Sequence, residues 1–340
     1  MSTERLRSTA RALVAPGRGI LAADESTPTI TKRLQAHRIP STEWTRRDWR
    51  ELLITAIDAK RWISGVILYD ETIHQLTGDG TPFPEAIQRR GMIPGIKVDI
   101  GTQPLPGSTS EKVTEGLDGL EARLTRYAQL GARFAKWRAI FTIADGLPSN
   151  ACLQQNAERL ARYAARCQQQ GLVPIIEPEV LIEGEHSLER CAEVTEQTLA
   201  GVFQALRAHD VDLEGALLKA NMVLAGADCP QRADAAEVAA GTLRCMRAVL
   251  PAALCGVVFL SGGQDPREAT ANLRAINSHG RQPWELSFSF GRALQQDALA
   301  IWGGDPDRAP AAQAAFLQRA RANGLARVHT QGTTHGEIAA

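Results

Sequence analysis

Residues 214–226 read EGALLKANMVLAG: an apolar run, Gly-Ala-Leu-Leu, stops at Lys219 before Asn221, Met222 and a glycine-bearing loop take over. A lysine at the end of a buried strand has two readings. Its stem can lie along apolar surface while the ammonium reaches water, or the charge is required where it stands. The rest of the chain decides between them. Seven further runs of the same kind occur: GILAAD (19–24), ISGVILY (63–69), IPGIKVD (93–99), RFAKWRA (133–139), VPIIEPE (173–179), GVVFLSGG (256–263) and ELSFSFG (285–291). Continuous rather than alternating apolar strands suit a parallel sheet covered on both faces. Amphipathic stretches lie between most of them. In 117–132, Leu117, Leu120, Leu124, Tyr127 and Ala128 fall on one helical face, and 152–171 and 188–210 behave alike. The 117–131 and 152–171 segments both end in glycine, as helix C-termini often do. Eight strand-helix units predict an α/β fold, a single-domain closed (β/α)8 TIM barrel over about 19–302. A helical extension precedes it, and a C-terminal helix with a mobile tail is expected over about 309–340.

Composition narrows the function class. Lys plus Arg equals Asp plus Glu, 38 against 38, so no global field recruits nucleic acid or an anionic membrane. The N-terminus MSTERLRSTARAL has no apolar signal core, and no run approaches the ~20 apolar residues of a membrane helix. The six cysteines are scattered without a C-x-x-C pair, which points to reduced thiols. A cytoplasmic protein is expected, with no nucleic-acid or membrane partner.

In such barrels the reacting groups sit where strands run out into the following loops. Those ends carry Asp24, Lys97, Lys136 with Arg138, Glu177 with Glu179, Lys219, Ser261-Gly262-Gly263, and Ser289 to Arg292. Residues two apart on a strand share a face, so Lys136 points with Arg138, and Glu177 with Glu179. Each charge alone could be a solvated strand end, and charge pairs in barrels can be structural. Their recurrence on seven of eight strands favours an active site. A lysine with a basic neighbour such as Lys136, in a partly desolvated setting, is biased toward its neutral form. A neutral amine attacks carbonyl carbon and forms a Schiff base. The proton transfers would fall to Glu177 or Glu179, with Asp24 nearby. Ser261-Gly262-Gly263 can present backbone N–H groups to a phosphate. Arg292 opens a helix after strand eight with a guanidinium suited to phosphate oxygens. Lys97, Arg138 and Lys32-Arg33 hint at a second phosphate. No histidine pair has zinc spacing and no nucleotide-binding glycine loop occurs, so no metal and no cofactor are expected.

These residues resemble the class I, Schiff-base-forming fructose-1,6-bisphosphate aldolases. The similar blocks, in order, are GILAADEST, TKRLQ, GVILYDET, DGTPFPEAI, GIKVDIG, GLDGL, FAKWRA, ARYAARCQQQGLVPIIEPE, LLKANM, FLSGGQ and FSFGRAL, covering about residues 10 to 325. The resemblance implies that Lys219 forms the Schiff base and that Glu177 is the main acid/base. It implies that Asp24 acts on the hydroxyl beside the scissile bond, Lys136 tunes Lys219, and Glu179 supports the network. Ser261, Gly262, Gly263, Ser289 and Arg292 would bind the phosphate on the ketone half; Lys97, Arg138, Thr29 and Arg33 would serve the other. The substrate would be a phosphorylated sugar, and the assembly a homotetramer.

The chain departs from the animal-type pattern at Ala220 (usually proline), Asp70 (histidine), Phe290 (tyrosine) and Pro28-Thr29 (Gly-Ser), and its tail has no tyrosine. Within that tail only His329 and His335 titrate near neutral pH. Rival readings are an aldolase for another phosphorylated ketose, a metal-assisted lyase, and a non-catalytic phosphosugar binder.

Overall fold

A computed structural model describes residues 3–328. The eight apolar runs all form strands: β1 Gly19–Ala23, β2 Ile63–Leu68, β3 Ile93–Lys97, β4 Phe134–Phe141, β5 Val173–Val180, β6 Leu217–Ala220, β7 Gly256–Phe259 and β8 Glu285–Phe290. Every strand pairs in parallel with the next, and β8 returns to β1 through Ile20↔Ser289 and Leu21↔Phe290, closing the barrel.

Alternation along the strands splits the core in two. Outward residues such as Val66, Ile96, Trp137, Ile176, Leu218 and Phe259 pack under the surrounding helices. Inward residues Ile20, Ile67, Phe134, Val173, Ile175, Leu217 and Val258 fill the lower barrel. Phe134 is fully buried there, which is worth about 1.5–3 kcal/mol. The space for its ring comes from Gly65 and Gly95: a Cβ on Gly95 would lie 2.3 Å from the ring, and one on Gly65 3.1 Å. The N-terminal extension is the helix Thr3–Leu13. Its Leu6, Ala10 and Leu13, with Val14, join the inward cluster and plug the barrel floor.

Helix boundaries follow local chemistry. Ser149 and Ser187 cap Asn150–Gln169 and Leu188–Ala208 by accepting from the Cys152 and Arg190 amides. Asp234 and Asp265 close capping boxes with Glu237 and Glu268. Gly131 and Gly171, expected as C-terminal stops, have φ of +113° and +70°, the left-handed region that favours glycine. The C-terminal helix spans Ala309–Ala326. Just beyond it the buried Arg327 guanidinium donates to the carbonyl oxygens of Leu286 (2.8 Å), Ala15 (2.6 Å) and Val14 (2.9 Å). That stitch ties the end of the C-terminal helix to the barrel floor. Residues 329–340, most of the tail expected to be mobile, with His329 and His335, lie outside the described residues. A two-stranded antiparallel ribbon, Thr102–Pro104 with Lys112–Thr114, was not anticipated from the sequence.

Candidate active site

Inward parity continues past the apolar floor, and there the side chains become charged. Register aligns Lys97 with Lys136 across β3–β4, and Arg138 with Glu177 across β4–β5. The β5–β6 ladder pairs Ile175 with Leu217, which brings Glu177 and Lys219, each two residues on, to the same level. The Lys219 ammonium lies 2.9 Å from Glu177 Oε1. Lys136 lies 2.7 Å from Asp24 Oδ2 and 3.0 Å from Glu177 Oε2, the latter an ion pair rather than an aligned hydrogen bond. One carboxylate thus bridges two ammonium groups, and all four residues are buried.

Burial would raise the Asp24 carboxyl, but Lys136 and Lys219 outweigh it and hold the group at about 2. Burial likewise pushes Glu177 upward while Lys136, Lys219 and Arg138 bring it below the usual carboxylate range. Burial opposes charge on Lys136, yet Asp24 and Glu177 raise its affinity for a proton. Asp24, Glu177 and Lys136 are therefore held ionised by their mutual attraction.

These groups form the floor of a cavity of about 900 Å³. Asp24, Thr29, Arg33, Lys97, Lys136, Arg138, Glu177, Glu179, Lys219, Ser261, Gly262, Ser289 and Arg292 all line it. Gly263, also expected to hold phosphate, does not: it is a turn residue at φ +74°, where a Cβ would meet Ile182 at 2.5 Å. Gly262 is needed for closeness, because a Cβ there would lie 2.9 Å from Glu179 Oε1. Ser289 is buried with an Oγ that has no hydrogen-bond partner among the described residues. Arg292 is exposed at the start of helix Arg292–Trp302 and makes no ion pair among the described residues.

Lys97, Arg138 and Arg33, by contrast, are paired. Lys97 bonds the Asp99 carboxylate, Arg138 that of Glu179, and Arg33 that of Glu25. Asp99 and Glu25 were missed as site residues. Asp99 shares Lys97's strand parity, which was the available signal; Glu25 follows Asp24 in sequence and reaches Arg33 only through the loop. Asp70, one of the divergent positions, accepts from Tyr127 Oη at 2.6 Å on the cavity wall. Burial and that carboxylate push the Tyr127 phenol up to about 12. Buried Phe290 packs against Phe288 on the outer face, ring centroids 5.4 Å apart and planes tilted by 41°.

Among the described residues, no helix is long and apolar enough to cross a membrane. Comparison with known proteins agrees with the geometry. The family description "Fructose-bisphosphate aldolase class-I" matches residues 5–339. A probable fructose-bisphosphate aldolase class 1 of Xanthomonas campestris pv. campestris is 54% identical over 327 residues, 96% of this chain and 98% of its own. A fructose-bisphosphate aldolase of Echinococcus multilocularis is 51% identical over 98% of this chain and 92% of its own. The crystal structure of Plasmodium falciparum fructose-bisphosphate aldolase, with TRAP and a small-molecule inhibitor, superposes with a TM-score of 0.94 at 47% identity, covering 95% of this chain and 94% of that one. The buried lysine–carboxylate floor, the barrel that carries it and these likenesses converge: the chain belongs to the class-I fructose-bisphosphate aldolase family.

Proposed function

We infer that the protein is a lyase of glycolysis that reversibly cleaves fructose 1,6-bisphosphate to dihydroxyacetone phosphate and glyceraldehyde 3-phosphate through a lysine Schiff base. The observation that carries the assignment of roles is the Lys219–Glu177 contact of 2.9 Å at the cavity floor. The Lys219 ammonium passes a proton to Glu177, 2.9 Å away, and the resulting free amine adds to the substrate's C2 carbonyl; Glu177 then gives that proton to the carbinolamine hydroxyl, water leaves, and an iminium results. Asp24 takes the proton from the C4 hydroxyl as the C3–C4 bond breaks. That electron pair flows into the iminium, giving an enamine and releasing glyceraldehyde 3-phosphate. Return of the proton held by Asp24 to the enamine at C3, and addition of water to the imine with Glu177 as base, give dihydroxyacetone phosphate and restore Lys219 and both carboxylates. Lys136 keeps Asp24 and Glu177 ionised between turnovers, and Glu179 orients Arg138. Ser261, Gly262, Ser289 and Arg292 take the ketone-half phosphate, and Gly263 shapes that loop. Lys97, Arg138, Thr29 and Arg33 take the other phosphate.

The whole chain, 1–340, is proposed to act as one domain, in the cytoplasm, as a homotetramer that sedimentation velocity tests. Borohydride reduction with dihydroxyacetone phosphate, followed by peptide mapping, tests the chemistry. A stable adduct on Lys219 is expected; an adduct elsewhere, or none, overturns the assignment.

A further inference from the structure

The two phosphate ends of the cavity differ in how their charge is managed. At the ketone end, Arg292 is exposed, has no ion pair among the described residues, and stands at a helix N-terminus beside Ser261 and the idle Ser289 hydroxyl. The three cations assigned to the other phosphate each face a carboxylate: Arg33 with Glu25, Lys97 with Asp99, Arg138 with Glu179. The formal charge there is three minus three, zero. An incoming phosphate gains little from such a cluster until a cation lets go of its carboxylate.

Asp99 is the member of this set best placed to matter. It is buried, lines the cavity, and belongs to none of the acid/base steps. One oxygen bonds the Lys97 ammonium; the other accepts from the Arg138 backbone N–H at 3.2 Å. The β3–β4 pairing ends at Lys97↔Lys136, and the Asp99 side chain extends the join by standing in for the next strand carbonyl. Lys97 also donates to the Asp99 carbonyl oxygen at 2.8 Å, so its position does not depend on the carboxylate alone.

We propose that Asp99 is a specificity-determining residue: its carboxylate occupies Lys97 in the resting site and competes with the substrate's far phosphate. This lowers the advantage of a bisphosphate over a monophosphate that carries only the ketone-half group. The proposal rests on the aldolase reading given above. Removing the competing charge while keeping an acceptor for the Arg138 amide frees Lys97 for the phosphate.

Asp99→Asn does this with the least change of shape. Measured on fructose 1,6-bisphosphate and fructose 1-phosphate, the ratio of kcat/KM values is expected to shift toward the bisphosphate by about tenfold, the scale of one hydrogen bond to a charged group. Calorimetric binding of hexitol 1,6-bisphosphate and hexitol 1-phosphate gives a second readout, in which only the former tightens. A ratio that stays put, or both ligands changing in parallel, makes Asp99 purely structural and overturns the proposal. A shift toward the monophosphate overturns it too, because Asp99 would then aim Lys97 at phosphate instead of competing for it. A wild-type protein that binds both hexitols but cleaves neither ketose refutes the aldolase reading, while the binding comparison still tests Asp99.

Discussion

Lys136→Met removes the cation that Asp24 and Glu177 share at 2.7 and 3.0 Å and leaves two buried carboxylates facing one lysine. Breaking a buried pair by removing one partner costs about 3–5 kcal/mol. The pH dependence is more diagnostic than the size. In the wild type, Asp24 is held at about 2 against an ordinary 3.8. It therefore contributes about 2 kcal/mol that is fully present above the unfolded value and is lost as pH falls through the folded one. Stability of the parent should decline between about pH 4 and 2 on this account. In the variant, desolvation is no longer outweighed, and a carboxylate in the floor takes up a proton more readily than in the unfolded chain. The sign reverses: the folded state binds the extra proton, so acid relieves the variant. Urea unfolding followed by circular dichroism at pH 5, 6 and 7 should show the deficit shrinking toward pH 5. A deficit that is constant across the range, or that grows as pH falls, refutes the reasoning.

In the same variant, Lys219 faces the two carboxylates without Lys136 to share them, and the rising limb of the pH–rate profile should move to higher pH. Lys219→Arg keeps charge and approximate volume but cannot form an imine; turnover should fall at least a thousandfold with an unchanged circular dichroism spectrum. Arg292→Ala should raise KM for fructose 1,6-bisphosphate and fructose 1-phosphate alike, by roughly tenfold or more, whereas Arg138→Ala should harm the bisphosphate much more than the monophosphate. Gly95→Ala places a methyl 2.3 Å from the Phe134 ring; thermal denaturation should reveal a loss of about 1–3 kcal/mol, and Gly95→Ala with Phe134→Leu should recover part of it.

The barrel was legible because its strands are short, apolar and punctuated. VPIIEPE and GALLKAN announce both the strand and the place where it stops being apolar. Parity alone grouped Lys136 with Arg138 and Glu177 with Glu179. Lys219–Glu177 was inferred from chemistry, and the β5–β6 register supplies its geometry. What parity could not supply was pairing through loops. Glu25 has the wrong alternation to accompany Asp24, yet the turn after β1 delivers it to Arg33. Gly263 looked like its neighbour Gly262, but its positive φ turns it toward Ile182 and away from the cavity. The ribbon at Thr102–Pro104 and Lys112–Thr114 has too few residues to show a period.

The closing seam and the Arg327 stitch have a consequence for synthesis. Ile20 can pair with Gly65 early but finds its second strand partner only when Ser289 exists, and the Val14 carbonyl waits for a guanidinium 313 residues downstream. At about 5–20 residues per second, the segment around Val14 stays unsatisfied for roughly 15 seconds to a minute. During that interval Leu6, Leu13 and Ile20 have no finished barrel to enter, and Asp24 awaits Lys136 and Lys219. The residues leading into the first strand are among the last to be fixed, so that stretch of the nascent chain is where a chaperone has most to protect.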